Sequence, residues 1–388
     1  MRIIFGTTEL PPDSAGVPYQ RWVHVLVKGL VERGHQVAYW CLATPGQENQ
    51  ARHALQGLPV ELHTYPPAAR RRSTFLGKLR TIREPFGGNI PSEMRRDFLR
   101  ACARGYDILQ VENIHGGASL ALGMSRVLAS VHVLHLVELR DTSFFSWKTL
   151  KTKLLYWHAE KRLLRRFRHI RVLSDRMARI VEAINPAARV YTIPIAIDPT
   201  TYAVMVTDRP EKVVGLIGHM GMLNTVRAST RLLGSIWPRI RRRVPDAQLL
   251  LAGWGARTAL AHFPHERGVT IVENLPDAQE FFARCAVLAY PLAMGAGLHG
   301  KILEAMAYGV PVVTTTPGVE GVDAKNGEHL FVEDDDDLFA ERVIELLQNP
   351  SLRAPIAEAG RRLVEEKYSP ARVVSMIETV YQGMLNGG

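Results

Sequence analysis

The sequence predicts an α/β protein made of two Rossmann-like domains that face a cleft. Short apolar runs alternate with amphipathic stretches along the chain, a pattern typical of parallel sheets covered by helices on both faces. The alternation pauses near residue 198 and starts again after residue 210, which indicates two such sheets. The length of 388 residues also favours two domains over one.

The first half opens with an apolar run at residues 2–8, which predicts a strand. An amphipathic stretch at 17–33 follows and ends where Gly34 suits a left-handed cap, which predicts a helix. Further strands are predicted at residues 36–42, 107–112, 131–138, 170–173 and 190–193. Further helices are predicted at residues 117–129, 147–168 and 175–184.

The second half repeats the pattern. Strands are predicted at residues 212–217, 248–252, 269–272, 286–290 and 311–315. Helices are predicted at residues 224–242, 277–284 and 301–308, and the acidic run 333–337 is expected to open another, because carboxylates favour helix starts. We expect one domain over residues 1–198, joined by a last helix at 369–388, and a second domain over 199–368.

Composition indicates a cytoplasmic globular protein. Hydrophobic residues make up 46% and charged residues 22% of the chain, which allows well-filled cores. No apolar run approaches the roughly 18 residues that a membrane span needs. The opening apolar run is too short for a signal peptide and stops at two prolines. The cysteines Cys41, Cys102 and Cys285 match no metal or redox spacing and are expected to be buried thiols.

The positive charge is confined to the first half. The whole chain carries +10, but residues 1–195 carry 29 Lys and Arg against 15 Asp and Glu. Two segments there, 68–86 and 147–169, interleave basic residues with aromatic and aliphatic ones. A solvated face over a buried stripe explains this pattern, and docking on the anionic inner face of a membrane is the sharper alternative. Nucleic acid is disfavoured, since no recognised binding motif accompanies the charge.

The segment 290–313 carries the most informative pattern. A strand ends in a loop containing Gly295, Gly297 and Gly300, and a helix with Lys301 at its start follows. Glycines before a helix let backbone N–H groups approach an anion, and the helix N-terminus adds partial positive charge. His299 and Lys301 could add further positive charge toward a diphosphate, and Glu304 lies one turn further in as an acceptor. A plain loop and helix with surface side chains is the alternative.

Other candidates lie at the predicted carboxyl edge of the first sheet. Glu112 and His115 end a predicted strand, where open α/β sheets place ligands, so both are candidates for an acceptor. Gly16 precedes the first helix and could approach donor phosphates. His132 and His135 alternate with apolar residues and are interpreted as packing histidines.

The segment 295–313, GAGLHGKILEAMAYGVPVV, resembles the donor motif of family 4 glycosyltransferases, in the branch with the pattern GxGxxxKxLEAMAxGxPVV. The resemblance extends through GVEGVDAKNGEHLFVEDDDDLFAERVIELL and back through GLIGHMGMLNTVRASTRLLGSIWPRI and LLLAGWG. In the first half, SAGVPYQRWVHVLVKGLVERGHQV resembles the family's opening glycine loop and helix, and IPIAIDPTTY its interdomain signature.

The resemblance implies the GT-B fold and sugar transfer with retention of the anomeric configuration, without a metal cofactor. It implies an acceptor-side first domain and a second domain that binds a UDP- or GDP-linked sugar. The position of Glu304 would bind the donor ribose, and Lys301 with the loop amides would bind the diphosphate. The donor-binding positions are Gly16, Gly218, His219, Gly295, Gly297, His299, Gly300, Lys301 and Glu304.

The chain departs from the family pattern at four positions. Ala296 stands where many members carry a glutamate, His299 where the branch often has arginine, and His219 where a phosphate-binding arginine is common. Arg140, followed by Asp141, stands where a histidine often helps hold the transferred sugar, so these two join Lys301 as catalytic candidates. Two other functions stay open: a nucleotide-sugar 2-epimerase of the same fold, and a catalytically silent module that binds nucleotide sugars.

Overall fold

The computed structural model describes most of the chain. It covers residues 1–10, 18–68, 90–134, 137, 147–198, 200, 202, 212–263, 267–273, 275, 278–295 and 297–387, with the backbone alone at 18–20 and 147–153. The chain forms two compact units, residues 1–196 with 370–388 and residues 197–369. None of the helices in the described part is both long and apolar enough to cross a membrane.

The first unit is built on a parallel sheet in the order β3-β2-β1-β4-β5-β6-β7. Its strands are β1 (Arg2–Gly6), β2 (Gln36–Leu42), β3 (Val60–Tyr65), β4 (Ile108–Val111), β5 (Val127–Val131), β6 (His169–Val172) and β7 (Arg189–Thr192). Its helices are α1 (Pro18–Glu32), α2 (Gln47–Ala54), α3 (Ser92–Ala103), α4 (Ile114–Ala121), α5 (Trp147–Leu164), α6 (Asp175–Ile184) and, from the carboxyl end, α14 (Pro370–Asn386).

Helix α14 completes the core of the first unit. Its apolar residues Val373, Val374, Ile377 and Tyr381 are buried in one cluster with α1, β1 and β2. Gly29 of α1 makes the close approach possible, because a Cβ there would lie 2.7 Å from a methyl group of Val374.

The second unit carries a parallel sheet in the order β10-β9-β8-β11-β12-β13. Its strands are β8 (Val213–Ile217), β9 (Gln248–Ala252), β10 (Val269–Val272), β11 (Val287–Tyr290), β12 (Val312–Thr314) and β13 (Phe331–Val332). Its helices are α7 (Leu223–Arg231), α8 (Trp237–Arg243), α9 (Ala256–Ala259), α10 (Ala278–Arg284), α11 (Gly300–Ala307), α12 (Asp336–Gln348) and α13 (Pro350–Lys367).

Two sequence predictions of secondary structure are wrong. The helix predicted at residues 117–129 ends at Ala121, and the strand predicted at 131–138 lies earlier, at Val127–Val131. The turn between them uses positive φ at Gly123 and Arg126, which no helix allows. Strand β5 is buried along its whole length between β4 and β6, so it needs a continuous apolar run rather than the alternating pattern that suggested 131–138.

The helix predicted at residues 224–242 is interrupted. A π-helical turn at Leu232–Ile236 separates α7 from α8. Pro238 lies in the first turn of α8 and has no N–H to donate to the carbonyl four residues earlier, which accounts for the break in the α-helical ladder.

The acidic run opens α12, as predicted, but it is not simply solvated. Asp335 caps the helix by accepting from the N–H groups of Asp337 and Leu338. Asp336 pairs with Arg231 of α7 at 2.7 Å, and Asp337 pairs with Arg239 of α8. The run therefore ties α12 to α7 and α8.

Candidate functional site

The second sheet has its topological switch point between β8 and β11. From β8 the chain proceeds outward through β9 and β10, and then returns to place β11 on the other side of β8. The loops after these two neighbouring strands leave in opposite directions, and open α/β sheets bind ligands in the resulting crevice at the carboxyl edge. The residues after β8 begin at Gly218, and those after β11 run from Pro291 to α11.

The loop before α11 is shaped by glycines. A Cβ on Gly295 would lie 2.6 Å from the Pro317 carbonyl oxygen, and Gly297 has a φ of +137°, so neither position accommodates another residue without strain. Helix α11 then begins at Gly300, and the His299 carbonyl accepts the N–H of Ile302 at 3.0 Å. The first N–H groups of such a helix have no acceptor within it and face an incoming anion.

Lys301 brings its ammonium to the switch point. Its Nζ lies 4.5 Å from the centroid of the Tyr290 ring, at the end of β11. A Cβ on Gly218 would collide with the same Nζ, so the ammonium lies directly against the end of β8. The structure thus brings Lys301, Gly218 and the start of α11 together.

His219 follows Gly218 and is held in one tautomer. The N–H of Gly221 donates to Nδ1 at 3.0 Å, which requires a lone pair on Nδ1. The neutral ring therefore carries its proton on Nε2, a hydrogen-bond donor. Its imidazole also stacks on the indole of Trp254, with ring centroids 4.7 Å apart.

His299 does not carry the positive charge that the sequence analysis expected. Burial, with a smaller contribution from the nearby charge of Lys301, lowers the pKa of His299 to about 3. The imidazole is therefore neutral at physiological pH. Its Nε2 is buried and has no hydrogen-bond partner among the described residues, and it lies near Gly295 in the glycine loop. In this state the ring can offer a ligand a hydrogen bond but no charge.

Glu304 lies one turn inside α11, as the sequence indicated. Its side chain is 3% exposed, so the surrounding residues cover it almost completely. Gly16, Arg140, Asp141 and Ala296 lie outside the described residues, as do His135 and nearly all of the basic segment 68–86. Their assignments stay predictions.

The carboxyl edge of the first sheet is occupied by a buried network. Glu112, at the end of β4, is fully buried and lies 2.6 Å from Nε2 of His132 and 3.4 Å from the Arg171 guanidinium. Ser130 donates to it at 3.0 Å, and Gln110 also donates to it. Burial alone would raise the pKa of Glu112, but its hydrogen bond with His132 and the charges of His132 and Arg171 outweigh burial and lower it to about 2.

The expectation that Glu112 faces an acceptor is therefore wrong for this structure. Its carboxylate already contacts side chains of the protein itself. Tyr381 of α14 extends this network, because its hydroxyl donates to Gln110 at 2.9 Å. His115, the second acceptor candidate, is 11% exposed at its side chain and lies 2.6 Å from the buried Glu160 of α5. It fastens α4 to α5. His132 is buried, as a packing histidine is expected to be. Its contact with the carboxylate of Glu112 was not predicted from the sequence.

Sequence reasoning missed Trp254 and Tyr290. Tyr290 ends a predicted strand, and its ring lies beneath the ammonium of Lys301. Trp254 lies in the segment LLLAGWG and is 60% exposed. The sequence feature that could have identified Trp254 is its position between two glycines directly after a predicted strand.

Two family models match the chain, one in each half. Residues 19–196 match the family described as "Glycosyl transferase 4-like domain", and residues 211–349 match "Glycosyl transferases group 1". Together they span most of the chain and include β8 to β12 and the glycine loop.

Curated relatives match over shorter stretches. The chain is 31% identical over 121 residues to the "Capsular polysaccharide biosynthesis glycosyltransferase CapM" of Staphylococcus aureus, covering 30% of this chain and 31% of the relative. It is 33% identical over 144 residues to a "GDP-mannose-dependent monoacylated alpha-(1-6)-phosphatidylinositol monomannoside mannosyltransferase" of Corynebacterium glutamicum, covering 34% and 38%. The chain spans less than half the length of the curated relatives it matches.

Solved structures match over the whole chain. The Anabaena protein HepE, crystallised with UDP and glucose, superposes with a TM-score of 0.67 at 15% identity and covers 99% of this chain and 100% of that one. At this identity the likeness shows the fold. It confirms the prediction of two Rossmann-like halves of the GT-B class.

Proposed function

The chain belongs to the GT-B glycosyltransferases of the group 1 and 4-like type, and from that premise we propose that it transfers a sugar from a UDP- or GDP-linked donor with retention of configuration. The acceptor is a glycan, a lipid-linked sugar or a small molecule. This proposal agrees with what is known of its relatives by name, since one acts in capsular polysaccharide biosynthesis and another depends on GDP-mannose.

One observation carries the proposal. The ammonium of Lys301 lies against Gly218 at the switch point, beside the start of α11, where the side chain of His299 does not cap the helix. A diphosphate is the part of the donor that this arrangement suits, because it accepts hydrogen bonds and carries negative charge. HepE, with the same fold, was crystallised with UDP and glucose.

The proposed chemistry places the leaving group at this site. The bond between the anomeric carbon of the sugar and the β-phosphate oxygen breaks, and a bond from that carbon to the acceptor oxygen forms on the same face. Negative charge grows on the diphosphate as it leaves, and Lys301 with the α11 N-terminus stabilises it. The acceptor hydroxyl proton passes to a phosphate oxygen. Neutral His299 offers a hydrogen bond within the same loop, and Glu304 is assigned to the ribose.

Product analysis separates this function from its alternatives. The protein is incubated with UDP- and GDP-sugars, with and without acceptor sugars, and released nucleoside diphosphate and glycoside are separated by chromatography. Release that increases with acceptor, together with a product of retained configuration by NMR, is the expected result. An isomerised nucleotide sugar formed without acceptor would identify an epimerase. Binding without release or isomerisation would identify a silent module.

We propose that the reaction needs no metal ion, as the family resemblance implies. Lys301 and the helix N-terminus then supply the positive charge that a divalent ion would otherwise bring to the diphosphate. Transfer should therefore proceed at an unchanged rate in EDTA. A rate abolished by EDTA and restored by Mg²⁺ or Mn²⁺ would contradict this.

A peripheral position on an anionic membrane is the proposal for location. On α5, Leu154, His158 and Arg162 are exposed at successive helical turns, and Lys161 lies 3.6 Å from the centroid of the Trp157 ring. This face combines an apolar residue with basic and aromatic ones, which suits the interface of an anionic bilayer. Co-sedimentation with vesicles should rise with anionic lipid and fall with salt. Equal binding to neutral vesicles, or no binding to either, would exclude it.

A further inference from the structure

Trp254 is the most exposed of the large apolar side chains at the carboxyl edge of the second sheet. It is 60% exposed and lies in the turn directly after β9, the neighbour of β8. Met222 and Leu223, at the start of α7, are also exposed, at 48% and 45%. Leaving an indole in water forgoes about 1.5–3 kcal/mol of burial, so its position calls for an explanation.

The backbone on both sides fixes the position of Trp254. Gly253 has a φ of +142°, and a Cβ there would collide with the Gly218 carbonyl, so only glycine fits. Gly255 has a φ of +74° and begins α9. The Trp254 carbonyl accepts the N–H of Met220 at 2.9 Å. The indole is therefore presented by a turn tied to the residues that follow β8.

His219 supports one face of this indole. The two rings stack at 4.7 Å with 27° between their planes. Gly221 leaves room for the pair, since a Cβ there would lie 2.5 Å from the imidazole and 3.5 Å from the indole. We call this aromatic pair the His219–Trp254 stack. A side chain at Gly221, Gly253 or Gly255 would disturb it.

The stack lies one strand away from the diphosphate position. Gly218 joins the two places, because it contacts Lys301 on one side and its N–H donates to Ala252, just before Gly253, on the other. Neighbouring strands lie about 4.8 Å apart. A ligand with an anionic group at Lys301 therefore needs to extend by only one or two strand spacings to lie over Trp254.

We infer that the His219–Trp254 stack is the platform for the nucleobase of the donor. The inference rests on the proposed function, because it assigns the rest of the same ligand. A nucleoside diphosphate combines a flat aromatic base with an anion at this separation, and bases stack on aromatic side chains whatever their identity. Nε2–H of His219 donates to the ribose or α-phosphate between them. The platform has the area of one ring system, which fits a base better than a lipid surface.

Calorimetry on the full-length protein tests the platform with UDP, GDP and inorganic pyrophosphate as probes. Trp254→Ala should weaken whichever of UDP or GDP binds the wild type by about 5- to 150-fold, the measured range for loss of one base stack. Pyrophosphate affinity should stay unchanged, since it has no base. Trp254→Phe should retain an intermediate affinity. Leu338→Ala is the matched control, because Leu338 is 52% exposed on α12 of the same unit.

Each other outcome has a definite meaning. If Trp254→Ala binds the nucleotide as the wild type does while Lys301→Ala does not, the platform is wrong and the proposed function stands. If the wild type binds neither UDP nor GDP, both fail. If Trp254→Ala loses pyrophosphate as well, the tryptophan shapes the phosphate site rather than holding a base. Gly221→Ala, which crowds the stack from beneath, should reproduce the nucleotide-specific loss, and wild-type affinity in that variant would also overturn the inference.

Discussion

Both sheets place a charged residue at their switch point, but the two residues have opposite surroundings. In the first unit, Glu112 at the end of β4 is fully buried and is surrounded by Gln110, Ser130, His132 and Arg171. In the second unit, Lys301 lies against a bare glycine and an aromatic ring, beside a helix N-terminus. At the first edge the charged group is enclosed by side chains of the protein, whereas at the second edge it lies beside glycines and the start of a helix.

From this difference we expect Glu112 to matter for the stability of the fold and Lys301 to matter for ligand binding. Removing one partner of a buried charge pair destabilises the fold, and the hydrogen bonds that Glu112 makes to its neighbours occupy the oxygens that a substrate would need. A charge held by glycines and a ring keeps its hydrogen-bond donors available. Position at a carboxyl edge therefore identifies a place where a ligand could bind, and the neighbouring side chains decide whether one does.

Removing the buried charge should have the largest effect. Glu112→Ala leaves Arg171 and His132 buried without their carboxylate, which should cost about 3–5 kcal/mol of unfolding free energy. Urea denaturation measures this, with the exposed Glu182→Ala of the same unit as the control that should change little. At the same time, the folded protein should bind UDP or GDP as before. A Glu112→Ala protein of normal stability with lost nucleotide binding would reverse the comparison.

Removing the partly exposed charge of Lys301 should do the opposite. Lys301→Ala should keep a near-normal melting temperature, because partly exposed charges usually contribute under about 1 kcal/mol. Its transfer rate should fall about 100- to 1000-fold, which corresponds to roughly 2.7–4 kcal/mol of transition-state stabilisation. Lys301→Arg keeps the charge with altered geometry and should retain part of the rate. Lys212→Ala removes a surface lysine paired with Asp246 in the same unit and serves as the control. Wild-type turnover in Lys301→Ala would remove the phosphate assignment.

Glu304→Ala should lower the affinity for the donor. A hydrogen bond to a charged group contributes about 1.5–3 kcal/mol, so loss of the ribose contact should weaken UDP or GDP by roughly 10- to 150-fold. Calorimetry measures the affinity, and the melting temperature of the variant must be checked because the side chain is only 3% exposed. Unchanged affinity in a folded variant would exclude the ribose role.

Lowering the pH should remove the stability contributions of His299 and Glu112 over different pH ranges. The folded pKa of His299 is lowered from 6.5 to about 3, so its contribution to stability is present above pH 6.5 and is lost as the pH falls toward 3. Glu112, lowered from 4.5 to about 2, contributes above pH 4.5 and loses its contribution below that. Of these two contributions, only that of His299 has declined at pH 5.5, by about 1.4 kcal/mol. His299→Gln should reduce the loss of stability between pH 7.5 and 5.5 without abolishing it, because burial also lowers the pKa of His24 and of His169. An unchanged curve would contradict the assignment.

Much of the fold was readable from the sequence because both sheets are parallel and regularly patterned. The strands Gln36–Leu42, Gln248–Ala252 and Val269–Val272 and the helix Asp175–Ile184 have the predicted bounds. Elements without strong apolar periodicity were missed. Helix Gln47–Ala54, for example, buries Ala51 alone. A helix with one buried residue shows no apolar period from which its sequence could be recognised.

The candidate site was only partly readable. Spacing predicted that the glycine loop leads directly into the helix that carries Lys301, since loop and helix are contiguous in sequence. It misjudged His299 and Glu112, because burial and partners decide the charge of the one and the availability of the other. Those partners come from distant positions: Arg171 lies 59 residues from Glu112, and Tyr381 lies 271 residues from Gln110. Periodicity does not report such contacts.

Ligand-induced stabilisation tests the central claim most directly, namely that the second unit binds a nucleoside diphosphate through Lys301. Melting temperatures are measured for the wild type, Lys301→Ala and Glu112→Gln with and without UDP and GDP. At 100 times its dissociation constant, a nucleotide should add about 2.7 kcal/mol of stability, or roughly 5–10 °C. One of the two should shift the wild type and Glu112→Gln by similar amounts and leave Lys301→Ala unshifted at the same concentration. No shift of the wild type with either nucleotide, or an equal shift in Lys301→Ala, would contradict the account.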